Sequence, residues 1–175
     1  MSIHLVGVGG AGMSGIARVL TQRGQVVTGC DRDATALTKA LIAEGIACDV
    51  GHSAEHAENA ERLIVSGAIA DDAPELVRAR ELGLPIQHRA EALADILREH
   101  AARVVVTGAH GKTTTSAMLA AAAVELGLDP TFVVGGEVRQ LGTNARGGSD
   151  QIAIVEGDES DRSVLQLPAT IGVIL

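Results

Sequence analysis

Residues 3–15, IHLVGVGGAGMSG, decide how the chain is read. The apolar run Ile3 to Val8 carries glycine at position 7, and glycines follow at 9 and 12. This is the G-x-G-x-x-G spacing of a strand-to-helix turn that accepts a dinucleotide. Glycine there permits a tight backbone turn and close helix packing, while the amides that open the next helix face a phosphate. Asp31 ends the following apolar run, QVVTGC, where an acidic side chain meets a ribose or a base. The spacing by itself is shared by NAD and other nucleotide diphosphates.

Outward from this turn, short apolar runs alternate with helical patterns. The helices are expected at Met13–Arg23, Ala34–Glu44, Ser53–Ala60 and Pro74–Leu82, and the runs between them are QVVTGC, IACDV and RLIVSG. Such alternation predicts a parallel sheet with crossover helices. Pro74 suits a first helical turn, and Asp71 and Asp72 stand before it as candidate caps. After PIQH and a helix at Ala90–Glu99 the pattern restarts with the strand ARVVVTG, a second glycine-containing turn and the Ala-rich helix Thr113–Leu126. The expected domains are therefore 1–99 and 100–175. The polar, glycine-rich stretch GGEVRQLGTNARGGSD reads as a surface loop before the strand QIAIVEG. The final TIGVIL reads as a buried strand with nothing to cover it, so the chain is expected to be a piece of something longer.

The chain has 175 residues, 46% of them hydrophobic, enough for real cores. Aromatic content is 1%, with Phe132 alone, so bases have little to stack on. The net charge of −8 supplies no basic stripe for a nucleic acid, and no apolar stretch approaches the roughly 18 residues that span a bilayer. Cys30 and Cys48 suit reduced thiols in a cytoplasmic protein better than a disulfide framework, and neither is expected to be catalytic. Nothing in the composition fixes an oligomeric state.

The second turn, TGAHGKTTT, places Gly108, Ala109, His110, Gly111, Lys112, Thr113 and Thr114 between an apolar strand and a helix. Loop amides of this kind wrap phosphate oxygens, the lysine neutralises the outer phosphates, and the hydroxyl after it can hold Mg2+. The full G-x-x-x-x-G-K-[ST] consensus would need glycine at 106, where the chain has Val106, so the loop is a shortened relative. Mg2+ also needs a protein oxygen from a neighbouring strand, and VEGDESD offers Glu156, followed by Asp158, Glu159 and Asp161. His52-Ser-Ala-Glu55-His56 spells H-x-x-E-H, a zinc-protease pattern. With no third ligand identifiable it reads as a solvated short helix, and His4, His88, His100 and His110 show no cluster.

GVGGAGMSGIA, TGAHGKTTTSAML, LDPTFVVGG, GTNARGGS and VEGDESDRS, in this order, resemble the N-terminal part of the Mur ligases of peptidoglycan synthesis. The closest resemblance is to the type that adds L-alanine to UDP-N-acetylmuramate, and it extends over essentially the whole chain. It implies an α/β architecture: a Rossmann-like, parallel-sheet N-terminal domain, then the first part of a P-loop-type ATP-binding α/β domain, here truncated. It also implies ATP and Mg2+, an acyl phosphate formed on the lactyl carboxylate of UDP-N-acetylmuramate, and attack on it by L-alanine. By motif, Lys112 and Glu156 would be catalytic, residues 108–114 would bind ATP, and Thr113 and Glu156 would hold the metal. Gly9, Gly10, Ala11, Gly12, Met13 and Ser14 would bind the UDP diphosphate. Asp31 and Ser66 would lie near the uridine, and Asn144 and Arg146 near the sugar. Two departures stand out: the family usually reads GTHGK and EADES where this chain has Ala109 and Gly157. Gly157 is expected to loosen the backbone beside the metal ligand, and neither change is expected to abolish binding. A recycling ligase that joins a preformed peptide, an NAD-dependent dehydrogenase and a non-catalytic nucleotide-binding module are the rival readings.

Overall fold

β-Branched runs flanked by glycine turns become strands, and the alanine- and leucine-rich stretches between them become helices that cover the sheet faces. The computed structural model describes residues 2–158 and 163–175. The chain divides into two compact units, Met1–Arg89 and Ala90–Leu175.

In the first unit the order is β1 (Ser2–Val6), α1 (Ala11–Gln22), β2 (Val27–Asp31), α2 (Ala36–Ala43), β3 (Ala47–Val50), α3 (Glu55–Glu58), β4 (Ala60–Val65), α4 (Pro74–Leu82) and β5 (Ile86–His88). The five strands form a parallel sheet in the order β3-β2-β1-β4-β5. β1 lies at its centre and is buried along its whole length. α1 buries Met13, Ile16, Ala17, Val19 and Leu20. Thr35 caps α2 by accepting the Thr38 amide at 3.1 Å. Asp71 and Asp72 do not cap α4: the capping position is Ala73, without a side-chain bond. Asp71 instead engages Arg80, whose Nη1 donates to its carbonyl at 2.6 Å. The sheet order reverses between β1 and β4, and ligands bind at such a switch point, beyond the carboxyl ends of the strands.

The second unit carries α5 (Arg89–Arg98), β6 (Ala102–Thr107), α6 (Lys112–Glu125), β7 (Thr131–Val138), β8 (Thr143–Arg146), β9 (Ile152–Glu156) and β10 (Ile171–Ile174). Nearly all of α5 groups with this unit, so the division falls at 89/90 where the sequence pattern restarts only after 99. His100 anchors the helix end, with Nδ1 against the Ile96 carbonyl at 2.8 Å and Nε2 against Thr131 Oγ1 at 2.9 Å. The sheet order is β10-β6-β9-β7-β8, parallel except for the β7–β8 pair.

Two expectations are corrected here. The stretch 135–150 is not simply a surface loop: β7 runs through Gly135 and Gly136 to Val138, and β8 returns antiparallel, burying Val138, Asn144 and Ala145. The glycines that signalled a loop serve packing instead, since a Cβ on Gly135 would lie 2.6 Å from Glu156 Oε2. TIGVIL does form a strand, but at the sheet edge, with Ile174 83% exposed.

The core of the second unit gathers Val104, Val106, Ala120, Val134 and Ile154 around Phe132, which is 0% exposed. Phe132→Ala is expected to lower the unfolding free energy of this unit by about 3–5 kcal/mol in urea melts. Leu126→Ala, at a site 79% exposed, is expected to change it by less than about 0.5 kcal/mol.

Candidate functional site

The first glycine turn is held from two sides. Gly7 has φ +83°, and a Cβ there would meet Ser66 Cβ at 3.0 Å, so both the backbone conformation and the space require glycine. The Gly9 amide donates to Asp31 Oδ2 at 2.8 Å, and a Cβ on Gly9 would strike the same oxygen. Asp31 thus fixes the turn as well as standing at the end of β2. Beyond the carboxyl ends of the strands opens a cavity of about 500 Å3, lined in part by Gly7, Gly10, Asp31, His52, Ser66 and Pro74. That is the size of a small-molecule site.

Of the residues expected at a UDP-sugar, the structure brings Gly10, Asp31 and Ser66 together in this cavity, with Gly9 beneath Asp31. Ala11 and Gly12 form the first turn of α1, whereas Met13 and Ser14 are buried in that helix, Ser14 Oγ donating to the Ala11 carbonyl. Asn144 and Arg146 belong to the second unit, on β8. There Asn144 is buried, and Arg146 donates to Asp129 Oδ1 at 3.0 Å and lies over the Phe132 ring. Arg89 was not singled out in the sequence, yet its Nη1 lies 2.8 Å from where a Gly12 Cβ would be, at the start of α1. No local pattern marks it; only the parallel sheet brings the end of β5 beside α1.

In the second unit the turn between β6 and α6 places Gly108, Ala109, His110 and Gly111 ahead of the helix. Gly108 and Gly111 have φ +126° and +85°. Lys112 Nζ donates to the Gly108 carbonyl at 2.7 Å, folding the side chain back over the loop. Thr113 Oγ1 donates to Glu156 Oε2 at 3.3 Å, and Thr114 is exposed beside it. The second carboxylate oxygen of Glu156 is buried and has no hydrogen-bond partner among the described residues. Gly135 leaves the room that this carboxylate occupies, a role legible only once β7 is placed next to β9. Gly157 does not loosen this corner: its amide donates to the Val106 carbonyl at 2.8 Å, and a Cβ would meet Val164 at 2.5 Å. Glu159 and Asp161 lie outside the described residues.

The H-x-x-E-H stretch is not a solvated helix. His52 Nδ1 and His56 Nδ1 lie 3.0 and 3.1 Å from Glu75 Oε1, and the Cys30 thiol donates to the same oxygen at 3.3 Å. His4 joins this cluster, its ring stacked on that of His56 at 5.2 Å. The tertiary fold brings Glu75 of α4 onto the pair, a carboxylate that the local pattern cannot supply. Burial, with His56 adding to it, pushes the His4 imidazole down to about 4. Burial, then the Glu75 carboxylate, pushes the Cys30 thiol well above its ordinary range. Burial alone would raise the Glu75 carboxyl, but hydrogen bonds from its own amide, His56, Cys30 and the Ser53 amide outweigh it and hold the carboxyl low.

A family profile described as Mur ligase family, catalytic domain, matches residues 2–101. The chain is 46% identical, over 98% of its own length, to the UDP-N-acetylmuramate--L-alanine ligase of Streptomyces coelicolor. The chain belongs to the Mur ligase family. A second Mur ligase relative, the UDP-N-acetylmuramate--L-alanine ligase of Syntrophobacter fumaroxidans, is 47% identical over 98% of the chain. The chain spans 37% of the length of each of these two curated relatives. Among solved structures, the UDP-N-acetylmuramate-alanine ligase of Thermotoga maritima matches with a TM-score of 0.93 at 36% identity, over 99% of this chain and 41% of that one. The UDP-N-acetylmuramate:L-alanyl-gamma-D-glutamyl-meso-diaminopimelate ligase of Neisseria meningitides matches with 0.90 at 27% identity, over 99% of this chain and 59% of that one. No helix among the described residues is long and apolar enough to cross a membrane.

The depressed His4 value has a measurable consequence. Between its unfolded value of 6.5 and its folded value of about 4, the unfolded chain holds the extra proton, so stability falls as the pH drops through that window. The His4 contribution should reach about 3 kcal/mol and itself level off below pH 4, while Glu75 goes on adding a loss of its own below its ordinary 4.5. Urea melts in chelator-containing buffer should show the His4 slope in the parent chain and not in His4→Gln.

Proposed function

We propose that this chain is the nucleotide-binding part of an ATP-dependent carboxylate–amine ligase that joins L-alanine to the lactyl carboxylate of UDP-N-acetylmuramate in peptidoglycan synthesis, in the cytoplasm. The observation that carries the reading is the corner of the second unit. Lys112 follows a left-handed Gly111 there, and Thr113 Oγ1 meets the strand-end carboxylate of Glu156. A glycine turn with a lysine and a hydroxyl is what a triphosphate requires, and it leaves the switch-point cavity of the first unit for a different nucleotide. Identities of 46% and 47% to alanine-adding ligases favour L-alanine over a preformed peptide, the substrate class in the name of the Neisseria neighbour.

Two hard oxygen donors, one from a carboxylate whose other oxygen is buried and unpaired, fit Mg2+ in coordination chemistry. Thr113 and Glu156 would hold it, and when bound it supplies charge neutralisation at the phosphates. Residues 108–111 would wrap phosphate oxygens with their amides, and Thr114 would contribute its hydroxyl. Lys112, released from the Gly108 carbonyl, would neutralise the outer phosphates as the lactyl carboxylate attacks the γ-phosphorus and ADP leaves. The amine of L-alanine then attacks the acyl phosphate and inorganic phosphate departs. Gly9 to Gly12 would position the UDP diphosphate at the start of α1, with Asp31 and Ser66 toward the uridine. Spanning 37% of such ligases, residues 1–175 are expected to bind nucleotides without ligating.

Calorimetry of the purified chain with UDP-N-acetylmuramate, ATP–Mg2+ and NADH tests this. UDP-N-acetylmuramate and ATP–Mg2+ should each bind at one saturable site, and Lys112→Ala should weaken ATP–Mg2+ about tenfold or more while leaving the sugar nucleotide unaffected. Binding of NADH but not of UDP-N-acetylmuramate would overturn the proposal in favour of a dehydrogenase. In a longer protein carrying this chain, ligation of a tripeptide in preference to L-alanine would move it to the recycling class.

A further inference from the structure

The first unit buries a sulfur, nitrogen and oxygen cluster that neither glycine turn employs. Cys30 Sγ lies 3.3 Å from Glu75 Oε1, His52 Nδ1 lies 3.0 Å from the same oxygen, and Sγ and Nδ1 are 3.8 Å apart. Zinc bonds of about 2.0–2.3 Å in a tetrahedron put neighbouring ligand atoms about 3.3–3.8 Å apart; both separations from Sγ fall in that range and the Nδ1–Oε1 separation is a little shorter, so these three atoms come close to one face of such a centre. We propose that Cys30, His52 and Glu75 bind a single zinc-like divalent cation in the first unit, distinct from any magnesium at Thr113 and Glu156.

Two further observations point to an ion. Glu75 is 0% exposed, yet Oε2 has no hydrogen-bond partner among the described residues, and the same holds for Nε2 of His4, 2% exposed. Groups this deeply buried are normally satisfied. His4 also offers a ring nitrogen within 4.8 Å of Cys30 Sγ and of a His56 nitrogen, a second rank of donors behind the first three.

Charge balance agrees. In the metal-free state the cluster holds one carboxylate whose ionic partners among the described residues are only histidines. When the cation enters, Cys30 loses its thiol proton to solvent and a metal–thiolate bond forms. Thiolate, carboxylate and dication then sum to zero in a site where net charge is costly. A thiolate with an imidazole selects zinc-like ions over Mg2+ and Ca2+. His52 borders the cavity at the switch point, which gives an ion a route in. Of H-x-x-E-H only His52 belongs to the site: the carboxylate is Glu75 of α4, not Glu55, the thiolate is Cys30, and His56 lies outside the three ligands.

The test titrates the chelator-stripped 175-residue chain with Co2+ and with Zn2+ against a competing chromophoric chelator. Expected are one ion per chain, one proton released per ion, a thiolate-to-cobalt charge-transfer band with the visible bands of a tetrahedral centre, and a higher melting temperature with Zn2+. Cys30→Ser should abolish the charge-transfer band, and His52→Ala should weaken Zn2+ at least about tenfold, while Cys48→Ser changes nothing. Circular dichroism establishes that each variant is folded. His52 is partly exposed, so its variant decides the matter if Cys30→Ser does not fold. Absence of stoichiometric binding, or binding unchanged in His52→Ala, overturns the proposal, and so does a charge-transfer band that survives in Cys30→Ser. None of these readouts depends on nucleotide binding.

Discussion

The hydrogen bond from the Gly9 amide to the Asp31 carboxylate fixes where β1 ends and α1 begins, and the site in the first unit follows from it. It ties the first two strand ends together across the turn and, with Gly7 pressed against Ser66, the third as well. The position of α1 over the sheet, the opening at the switch point and the direction of the helix amides all depend on this one closure. Side chains at 7 or 9 would push the strand ends apart, so the glycines are a spatial requirement before they are a ligand signature.

The second unit solves the same problem with different chemistry. Its turn has the same length, but two of its glycines take positive φ and a lysine lies back on the loop carbonyl. The carboxylate beside it comes from β9, which follows α6 only after β7 and β8 but is adjacent to β6 in the sheet, with Val106 in register with Glu156. Position in the sheet, not proximity in sequence, makes Thr113 and Glu156 neighbours.

Much of this was legible from the sequence because parallel α/β structure writes its pattern plainly. The strands of the first unit, the helix starting at Pro74 and both glycine turns follow from apolar runs and glycine placement. What escaped was tertiary in origin. The β7–β8 hairpin was hidden because Gly135 and Gly136 signal a loop, although they are needed for the room they leave around Glu156 and Thr113. The run that forms β10 reads as buried because apolar runs in parallel sheets usually are, and an edge position has no sequence signature. The histidine cluster was hidden because its organising carboxylate, Glu75, lies on another helix, and Arg89 reaches α1 only through the sheet order.

The strand order of the two sheets also sets a timetable for synthesis. In the first unit each strand joins one already made, β2 and β3 on one side of β1 and, after α3 has crossed back, β4 and β5 on the other, so the sheet grows from the centre outward and is complete once β5 has been made. In the second, the strand partners of β6 among the described residues are β9 and β10, which begin at Ile152 and Ile171. A chain emerging from the ribosome would present the first unit folded while Val104, Val105 and Val106 still await both neighbours. Pairings this distant are slow and exposed to aggregation, so the interval between β6 and β10 is when the nascent protein most needs a chaperone.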